Sequence, residues 1–390
     1  MTATGVSSPV PPLEAAMLFL NNEDIQQVLT MKDTLRALED GHLEMARQEL
    51  VARPRVDTYA ETDTPGAFYR WGTMEGTSKG LHRHAIRMKS DVVSWREHGG
   101  GYVEDKYCVE PGLFCGLVFL FDTNNGEPLA IMNEGYLQHL RVGALAGLGA
   151  KYLAVKDAAV VGMLGAGGQA RSHLMAFAAV RDIKEAKVFS PTKANRERYA
   201  EEMAELLDIE VTPCDSAEEA VSGAHILSTC TNSVVPTVFA RMLEPGVHLT
   251  QVAGELAPDV PPRIDVAIGG DPKSQVYSGV PIDDSRGFTT YLAGSRDALD
   301  AARSGAAPRA RPAPQSDVTT RVVPLVELIA GTGVGRTSDD EISASRGGVG
   351  GGGKQGLQFV TVSSLVYDLA SAAGLGREIP TEWFLQDIRD

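Results

Sequence analysis

The sequence is poor in cysteine and has no long apolar run. Its four cysteines, Cys108, Cys115, Cys214 and Cys230, are widely spaced and form no CxxC pair. This usage is typical of a reducing compartment, in which thiols pack as small apolar side chains. No apolar stretch approaches the roughly 20 residues that span a bilayer, and residues 1–14 lack the basic and apolar regions of a signal peptide. We therefore expect a cytoplasmic protein with no membrane partner.

Positive charge is also scarce. The chain carries 36 Lys and Arg residues against 51 Asp and Glu residues, which gives a net charge of −15. This balance argues against a nucleic-acid-binding surface, where a basic stripe is expected. An anionic ligand must therefore be bound by a local cationic site, because the net charge of the whole protein does not attract it.

The apolar pattern changes near residue 157. Before this point it predicts helices over 25–48 and 136–153, with short β-like runs at 84–89 and 117–121. After it, strands and helices alternate, as is typical of a parallel, doubly wound sheet. The predicted strands of this part are 158–164, 186–189, 210–212, 225–231, 247–253 and 266–269. One predicted helix ends near 181, and two others cover 193–207 and 217–221.

The last 90 residues are less regular. Residues 301–317 are rich in Ala, Pro and Arg and are expected to form a loop or linker. Helices are predicted over 323–329 and 361–373, on either side of a glycine-rich stretch at 346–356. This stretch nearly matches the phosphate loop of nucleotide hydrolases, but Gln355 stands where a Ser or Thr would hold Mg²⁺. We interpret it as a flexible glycine loop.

The six residues 165–170, GAGGQA, form a glycine turn directly after a predicted strand and before a helix. Gly165 permits the tight turn, Gly167 lets the backbone approach a pyrophosphate, and Ala170 allows close packing of helix against strand. The N–H groups of Gly168, Gln169 and their neighbours open the helix and can meet phosphate oxygens. The turn therefore predicts a nicotinamide dinucleotide site on a Rossmann unit. The alternative is a glycine turn that binds no ligand.

The end of the second strand of this unit bears on the choice between NAD and NADP. An acidic residue there would bond to the ribose hydroxyls of NAD and repel a 2′-phosphate. This sequence has Ser190 and Thr192 instead, with Lys193 and Arg196 close behind. NADP(H) is therefore favoured, with NAD(H) as the alternative. The two cations could equally form the solvated face of the next helix.

The order of several motifs resembles the ornithine cyclodeaminase/mu-crystallin family over nearly the whole chain. They are LRVGA at 140–144, GAGGQAR at 165–171, ILSTCTNSVVP at 226–236, which contains the predicted cofactor residue Thr231, and LVELIAG with a following Gly-Arg at 325–336. The resemblance implies homodimers and NAD(P)-dependent hydride transfer at the α-carbon of an amino or imino acid. It also implies a Rossmann domain, here 155–320, inserted into an α+β substrate-binding and dimerisation domain, here 1–154 plus 321–390.

The resemblance also implies a set of substrate residues. Arg141 matches the family's carboxylate-binding arginine, and Arg55 matches an earlier one less closely; a bidentate arginine suits an amino-acid carboxylate. Lys89 matches the active-site lysine, which could bond to the carboxylate or move a proton at the imine nitrogen. For Arg55 and Lys89 the alternative is a surface salt bridge.

Glu255 stands at or beside the position of an aspartate that handles the substrate amine in cyclodeaminases. The carboxylate is one methylene longer, which puts ornithine cyclisation in doubt; the alternative is an exposed loop acid. Gln138 replaces a threonine beside Arg141, and Gln358-Phe359 replaces an Asp-containing motif. These departures point away from the cyclodeaminase reaction and leave imine chemistry open.

The segment 69–101 is enlarged and contains His82 and His84. Two histidines without a neighbouring Cys or carboxylate are weak evidence for a metal, so none is expected.

Three functions follow from these observations. The first is an NAD(P)-dependent oxidoreductase of an amino acid or its imine, with Lys89 and Glu255 as catalytic residues. The second is an ammonia lyase of the ornithine cyclodeaminase type, in which the cofactor is recycled within one turnover. The third is a binding protein that keeps the dinucleotide as a ligand without catalysis.

Overall fold

The computed structural model describes residues 16–98, 101–253, 255–270, 274, 289–303, 320–346 and 355–386. In chain order the helices and strands are β1 (Ala16–Leu20), α1 (Asn22–Val28), α2 (Met31–Ala46), β2 (Leu50–Glu61), β3 (Ala67–Ser78), β4 (Arg83–His98), β5 (Gly101–Tyr107), β6 (Cys115–Asp122), β7 (Pro128–Asn133), α3 (Gly135–Leu153), β8 (Val160–Leu164), α4 (Gly168–Val180), β9 (Glu185–Phe189), α5 (Lys193–Leu207), β10 (Glu210–Pro213), α6 (Ala217–Val221), β11 (Ile226–Cys230), β12 (Pro236–Val238), β13 (His248–Ala253), β14 (Glu255–Leu256), β15 (Val266–Ile268), β16 (Thr289–Ala293), α7 (Arg296–Ala302), β17 (Arg321–Val323), α8 (Leu325–Ile329), β18 (Ser343–Arg346), α9 (Gln355–Ala373) and β19 (Arg377–Pro380).

The first sheet is mainly antiparallel, and its strand order is β16-β2-β3-β4-β6-β7-β1-β19, with β5 beside the last residues of β4. One of its faces packs against α2 and α9 around buried Met74, Ala85 and Leu357. Residues 87, 89 and 91 follow Ala85 at two-residue intervals, so they point to the same face of β4. This face therefore carries both the apolar core and a row of charged side chains.

The second sheet is parallel, with the order β10-β9-β8-β11-β13-β18-β15-β17. Its strand β8 is short and apolar, and α4 packs on it through buried Leu174 and Phe177. The predicted α/β fold with a Rossmann-type parallel sheet is confirmed.

Helix α3 joins the two sheets. Most of its residues are buried, and it packs closely against α4. A Cβ at Gly143 would overlap the carbonyl of Ser172, and one at Gly147 would lie 2.8 Å from the Cβ of Ala176. These two glycines therefore allow the helix axes to approach further than any side chain would permit.

Three predicted helices differ from the structure: one is interrupted, and the other two begin at different residues. The helix predicted over 25–48 is divided, because the Thr30 side chain accepts a bond from Asp33 N–H and begins α2 as a new helix. The helix predicted over 323–329 begins as strand β17, and Pro324 separates this strand from α8. The helix predicted over 361–373 begins earlier, at Gln355.

The strands do not follow the predicted domain boundary at residue 320. Strands β17 and β18 belong to the parallel sheet, although both lie in the segment 321–390 that was assigned to the substrate-binding domain. Conversely, β16 pairs with β2 of the antiparallel sheet. β18 has no apolar pattern because two of its residues, Ser343 and Ser345, bond to the buried ring of His248. The loop predicted over 301–317 and the glycine stretch at 346–356 lie largely outside the described residues.

None of the helices in the described part of the chain is both long enough and apolar enough to cross a membrane.

The start of α9 crosses β3 with no space for a side chain at Gly356. A Cβ there would overlap the carbonyl of Glu75. We expect Gly356→Ala to lower the free energy of unfolding by about 1–3 kcal/mol, because backbone must move to admit the methyl group. Urea denaturation measures this change. Ser371→Ala, on the exposed side of the same helix, is the control and should change stability little. Equal stability of both variants would contradict the close contact.

Candidate active site

The glycine turn opens onto a cavity of about 820 Å³. Gly165 has φ of 111°, and a Cβ there would overlap the carbonyl oxygen of Cys230, so the turn requires glycine. Around Gly167 no atom lies within 4 Å of a built Cβ. The turn is therefore packed on one side by β11 and open on the other, which fits a pyrophosphate approaching the start of α4.

The predicted cofactor residues divide into two groups. Gly165, Gly167, Ser190 and Thr231 line the cavity. The other five lie at or beyond its edge, as the first residues of α4 or the start of α5: Gly168, Gln169, Ala170, Thr192 and Arg196.

Arg196 does not point into the cavity. It is 7% exposed, donates to the carbonyl of Ser190 at 3.1 Å and forms an ion pair with Asp215. Arg198, whose side chain is 62% exposed, lines the cavity instead. His98, from the end of β4, lines it too. The sequence reasoning selected Arg196 and missed both of these residues.

Lys89 lies in a row of residues that crosses four strands. Its register partners are Gly72 of β3 and Gly116 of β6, and Gly72 in turn faces Asp57 of β2. A Cβ at Gly72 would overlap the Asp57 carboxylate, and one at Gly116 would overlap Glu134. The two glycines therefore leave room for carboxylates on both sides of Lys89.

Lys89 is nearly buried, with 12% of its side chain exposed, and forms an ion pair with Asp91. Asp91 also accepts from Arg70 at 3.0 Å, and Arg70 donates to Glu104 at 2.9 Å. Burial, followed by the charges of Lys106 and Arg70, lowers the pKa of Lys89 to about 8, although Asp91 opposes the shift. A lysine with this pKa can gain or lose a proton near neutral pH.

Arg141 is buried on α3, where it is 3% exposed. It donates to the side-chain oxygens of Gln358 and Gln138, each at 2.6 Å, and stacks on the ring of Phe359 at 4.7 Å. Burial, then the charge of Arg87, lowers the pKa of Arg141 to about 9. The guanidinium is therefore a charged donor held in one orientation at neutral pH.

Two further arginines belong to the same region. Arg87 stacks on the Phe359 ring from 5.5 Å and forms an ion pair with Glu134. Arg55 bonds to Asp57 at 2.7 Å, and its charge contributes to the lowered pKa of Arg141. The structure thus brings together Arg55, Lys89 and Arg141, which the sequence selected. The sequence reasoning missed Arg70, Arg87 and Asp91, although charges at 87, 89 and 91 alternate as one face of a strand does.

The two halves of the site meet where α3 crosses the start of α4. A Cβ at Gly168 would lie 3.0 Å from the ring of His139, which is two residues before Arg141. His139 thus contacts the start of α4, whereas Arg141 of the same helix turns to Gln358 and Phe359 of α9. The backbone of Glu255, in β14, pairs with Pro236 of β12. The Glu255 side chain and residue 254 lie outside what the structure describes.

In the described residues no group of three His, Cys, Asp or Glu side chains could hold a metal ion. His84 instead shares a 2.8 Å hydrogen bond with Thr77, and His82 has a positive φ of 54° in the turn before β4.

Gly167 offers a direct test of the cavity. We expect Gly167→Ala to fold with unchanged stability, because the added methyl group meets no atom of the protein. It should weaken dinucleotide binding at least about 10-fold, because the methyl group occupies the space that the pyrophosphate needs. Quenching of protein fluorescence on titration with NADH or NADPH measures the affinity. Unchanged affinity of Gly167→Ala would place the cofactor elsewhere. Gly165→Ala is the comparison: it should lose both dinucleotide affinity and stability.

Known proteins resemble the chain in both sequence and fold. The model of the ornithine cyclodeaminase/mu-crystallin family matches residues 112–345. A Delta(1)-pyrroline-2-carboxylate reductase of Bacillus cereus is 30% identical over 266 residues, which are 68% of this chain and 74% of that protein. An uncharacterized cyclodeaminase of Sinorhizobium fredii is 29% identical over 372 residues, 92% of this chain and 98% of that protein.

The fold agrees with a solved structure as well. That of Thermococcus litoralis Delta(1)-pyrroline-2-carboxylate reductase, in complex with NADH and L-proline, aligns with a TM-score of 0.69 at 24% identity, over 93% of this chain and 100% of that one. This likeness concerns the fold. Since the family model spans more than half of the sequence, the resemblance indicated by the motifs is confirmed, and the chain belongs to the ornithine cyclodeaminase/mu-crystallin family.

Proposed function

We propose that the protein is an NAD(P)-dependent oxidoreductase that acts on the C–N bond of an amino acid or its imine. The observation that carries the proposal is that one helix, α3, contacts the glycine turn through His139 and also carries the buried cation Arg141. A substrate carboxylate bound by Arg141 would have its α-carbon next to the cofactor cavity. The names of the relatives in Bacillus and Thermococcus support a reaction of this class.

Each residue has a proposed role. Arg141 and Arg55 bind the substrate carboxylate, because a planar guanidinium matches two carboxylate oxygens. Lys89 exchanges a proton with the substrate nitrogen, for which a pKa near the working pH is favourable. Glu255 is the second group that serves the nitrogen. The nicotinamide, when bound, supplies or accepts the hydride, and Gly165, Gly167 and the first residues of α4 would hold its diphosphate.

We also propose a homodimer. The face of the antiparallel sheet opposite α9 carries apolar side chains that are only half-buried in the single chain. They are Trp71, Met88, Leu117, Phe119 and Ile131. Packing of the same face from a second copy would remove them from water.

A cyclodeaminase reaction is the second candidate, because the Sinorhizobium relative that bears this name aligns over 92% of the chain. The two reactions differ in cofactor balance. Reduction of an imine consumes NAD(P)H, whereas a cyclodeaminase reduces and reoxidises its cofactor within one turnover and releases ammonia.

A panel of cyclic imino acids and of keto acids with amines, assayed with NADH and NADPH, tests the function. We expect net loss of the reduced-nicotinamide absorbance with at least one substrate. Lys89→Met should lower kcat by about 100-fold or more, because proton transfer is lost. Lys184→Met, in a side chain that is 68% exposed, is the control and should retain activity.

Two results would contradict the proposal. Ammonia release from ornithine without net cofactor change would establish the cyclodeaminase instead. Tight cofactor binding with no turnover of any substrate in the panel would favour the non-catalytic binding protein.

We propose that NADP(H) is the preferred cofactor and that Arg198, with Ser190, binds its 2′-phosphate. Both line the cavity, and no carboxylate follows β9 directly. We expect Arg198→Gln to raise the KM for NADPH by about 10-fold or more and the KM for NADH little, because one charged hydrogen bond is lost. Arg196→Gln is the matched control on the same helix and should lower stability without changing this ratio. A larger selective effect at position 196 would reverse the assignment.

A further inference from the structure

Two cations compete for one oxygen of Asp91. The Nζ atom of Lys89 and the Nη2 atom of Arg70 both bond to Oδ2, the latter at 3.0 Å. The Asp91 side chain is fully buried, and within the described residues its Oδ1 atom has no hydrogen-bond partner. The carboxylate is therefore divided between the two cations at a single atom, rather than bonding one cation with each oxygen.

The guanidinium group of Arg70 is held between two carboxylates, Asp91 and Glu104. Arg70 lies directly opposite Asp91 in the register of β3 and β4, and its Nη1 atom donates to Glu104 at 2.9 Å. Only 7% of its side chain is exposed, so water cannot take the place of these partners. Arg70 thus neutralises part of the Asp91 charge, which would otherwise stabilise the ammonium form of Lys89 more strongly.

The charged groups around Lys89 come from four strands, β2 to β5, and from the residue before α3. They are Arg55 and Asp57 on β2, Arg70 on β3, Arg87 and Asp91 on β4, and Glu104 and Lys106 on β5, with Glu134 at the start of α3. Asp57 and Glu134 each have an arginine of their own, whereas Glu104 and Asp91 share Arg70. Asp91 is the carboxylate in direct contact with Lys89.

We propose that Asp91 and Arg70 are positioning residues that set the protonation of Lys89 through their shared carboxylate oxygen. Asp91 stabilises the ammonium form of Lys89 by its negative charge, and Arg70 reduces this stabilisation because it bonds to the same oxygen. Lys89 therefore exchanges a proton close to neutral pH. The inference rests on the proposed function only in that Lys89 serves the substrate.

The sign of each substitution follows from the charges. An opposite charge within about 4–6 Å favours the ionised form of a group by about 1–3 pKa units, and a like charge disfavours it. Asp91→Asn removes the anion, so the pKa of Lys89 should fall by about one unit or more. Arg70→Gln removes a cation and leaves Asp91 to Lys89 alone, so the pKa should rise by about one unit. The two variants thus move it in opposite directions.

Two readouts follow these shifts. The first is the rate at which a small amine-acylating reagent modifies Lys89 as a function of pH, measured by peptide mass spectrometry, which needs no substrate. The second is the pH dependence of kcat/KM. If protonated Lys89 is required, the rate is constant below its pKa and falls as the pH rises through about 8. Asp91→Asn should move this fall to lower pH, and Arg70→Gln to higher pH.

Asp105→Asn is the matched control, because Asp105 of β5 forms an exposed ion pair with Arg96 of β4. It should leave both readouts unchanged. Glu104→Gln is a milder alternative to Arg70→Gln, should the latter fail to fold. It frees the charge of Arg70, and the pKa of Lys89 should fall.

Shifts in the same direction for Asp91→Asn and Arg70→Gln, or no shift in either, would overturn the inference. Opposed shifts in the acylation rate without a change in the kcat/KM profile would retain the positioning pair and contradict the proposed use of Lys89. The failure of one proposal is therefore distinguishable from failure of the other.

Discussion

The close packing of α3 on α4 is the constraint on which the rest of the site depends. Gly143 and Gly147 let the two helices approach until a Cβ at the first would overlap backbone and one at the second would lie 2.8 Å from Ala176. Helix α3 is continuous from Gly135 to Leu153, so this contact also fixes Arg141 and His139 one turn earlier. Helix α3 therefore connects the start of α4 with the residues of α9 that contact Arg141. Local strand or helix preference alone could not produce this arrangement.

The charges on the antiparallel sheet are the second feature that needs a physical explanation. A buried charge is costly unless it is paired and hydrogen-bonded. Arg55, Arg70 and Arg87 each have a carboxylate partner, and the cross-strand glycines at 72 and 116 provide the space for two of those carboxylates. Such a network contributes little to stability compared with an apolar core. In the proposed function, the role of this network is to orient charge toward the substrate.

Helix α5 illustrates the limit of reasoning from nearby sequence. Arg196 and Arg198 are two positions apart, which is about 200° around a helix, so they point in nearly opposite directions. The sequence correctly predicted a helix over 193–207, and it also predicted that a cation of this helix, Arg196, binds the cofactor. It could not decide which cation faces the cavity, because that depends on the side of the helix that packs against the sheet. Tyr199 and Met203 bury that side, and Arg196 lies with them.

The sequence by itself determined the elements that depend on local chemistry. The strand, glycine turn and helix at 160–180 and the parallel sheet follow from the apolar period and the position of the glycines. The selection of Arg141, Lys89 and Arg55 came from the resemblance to the family. Only the tertiary structure decided which strands each sheet contains and which charges meet. Strand β18 is polar because its two serines bond to a histidine 95 and 97 residues away, and Lys89 depends on an arginine from the neighbouring strand. Such partners are distant in sequence, and no local pattern records them.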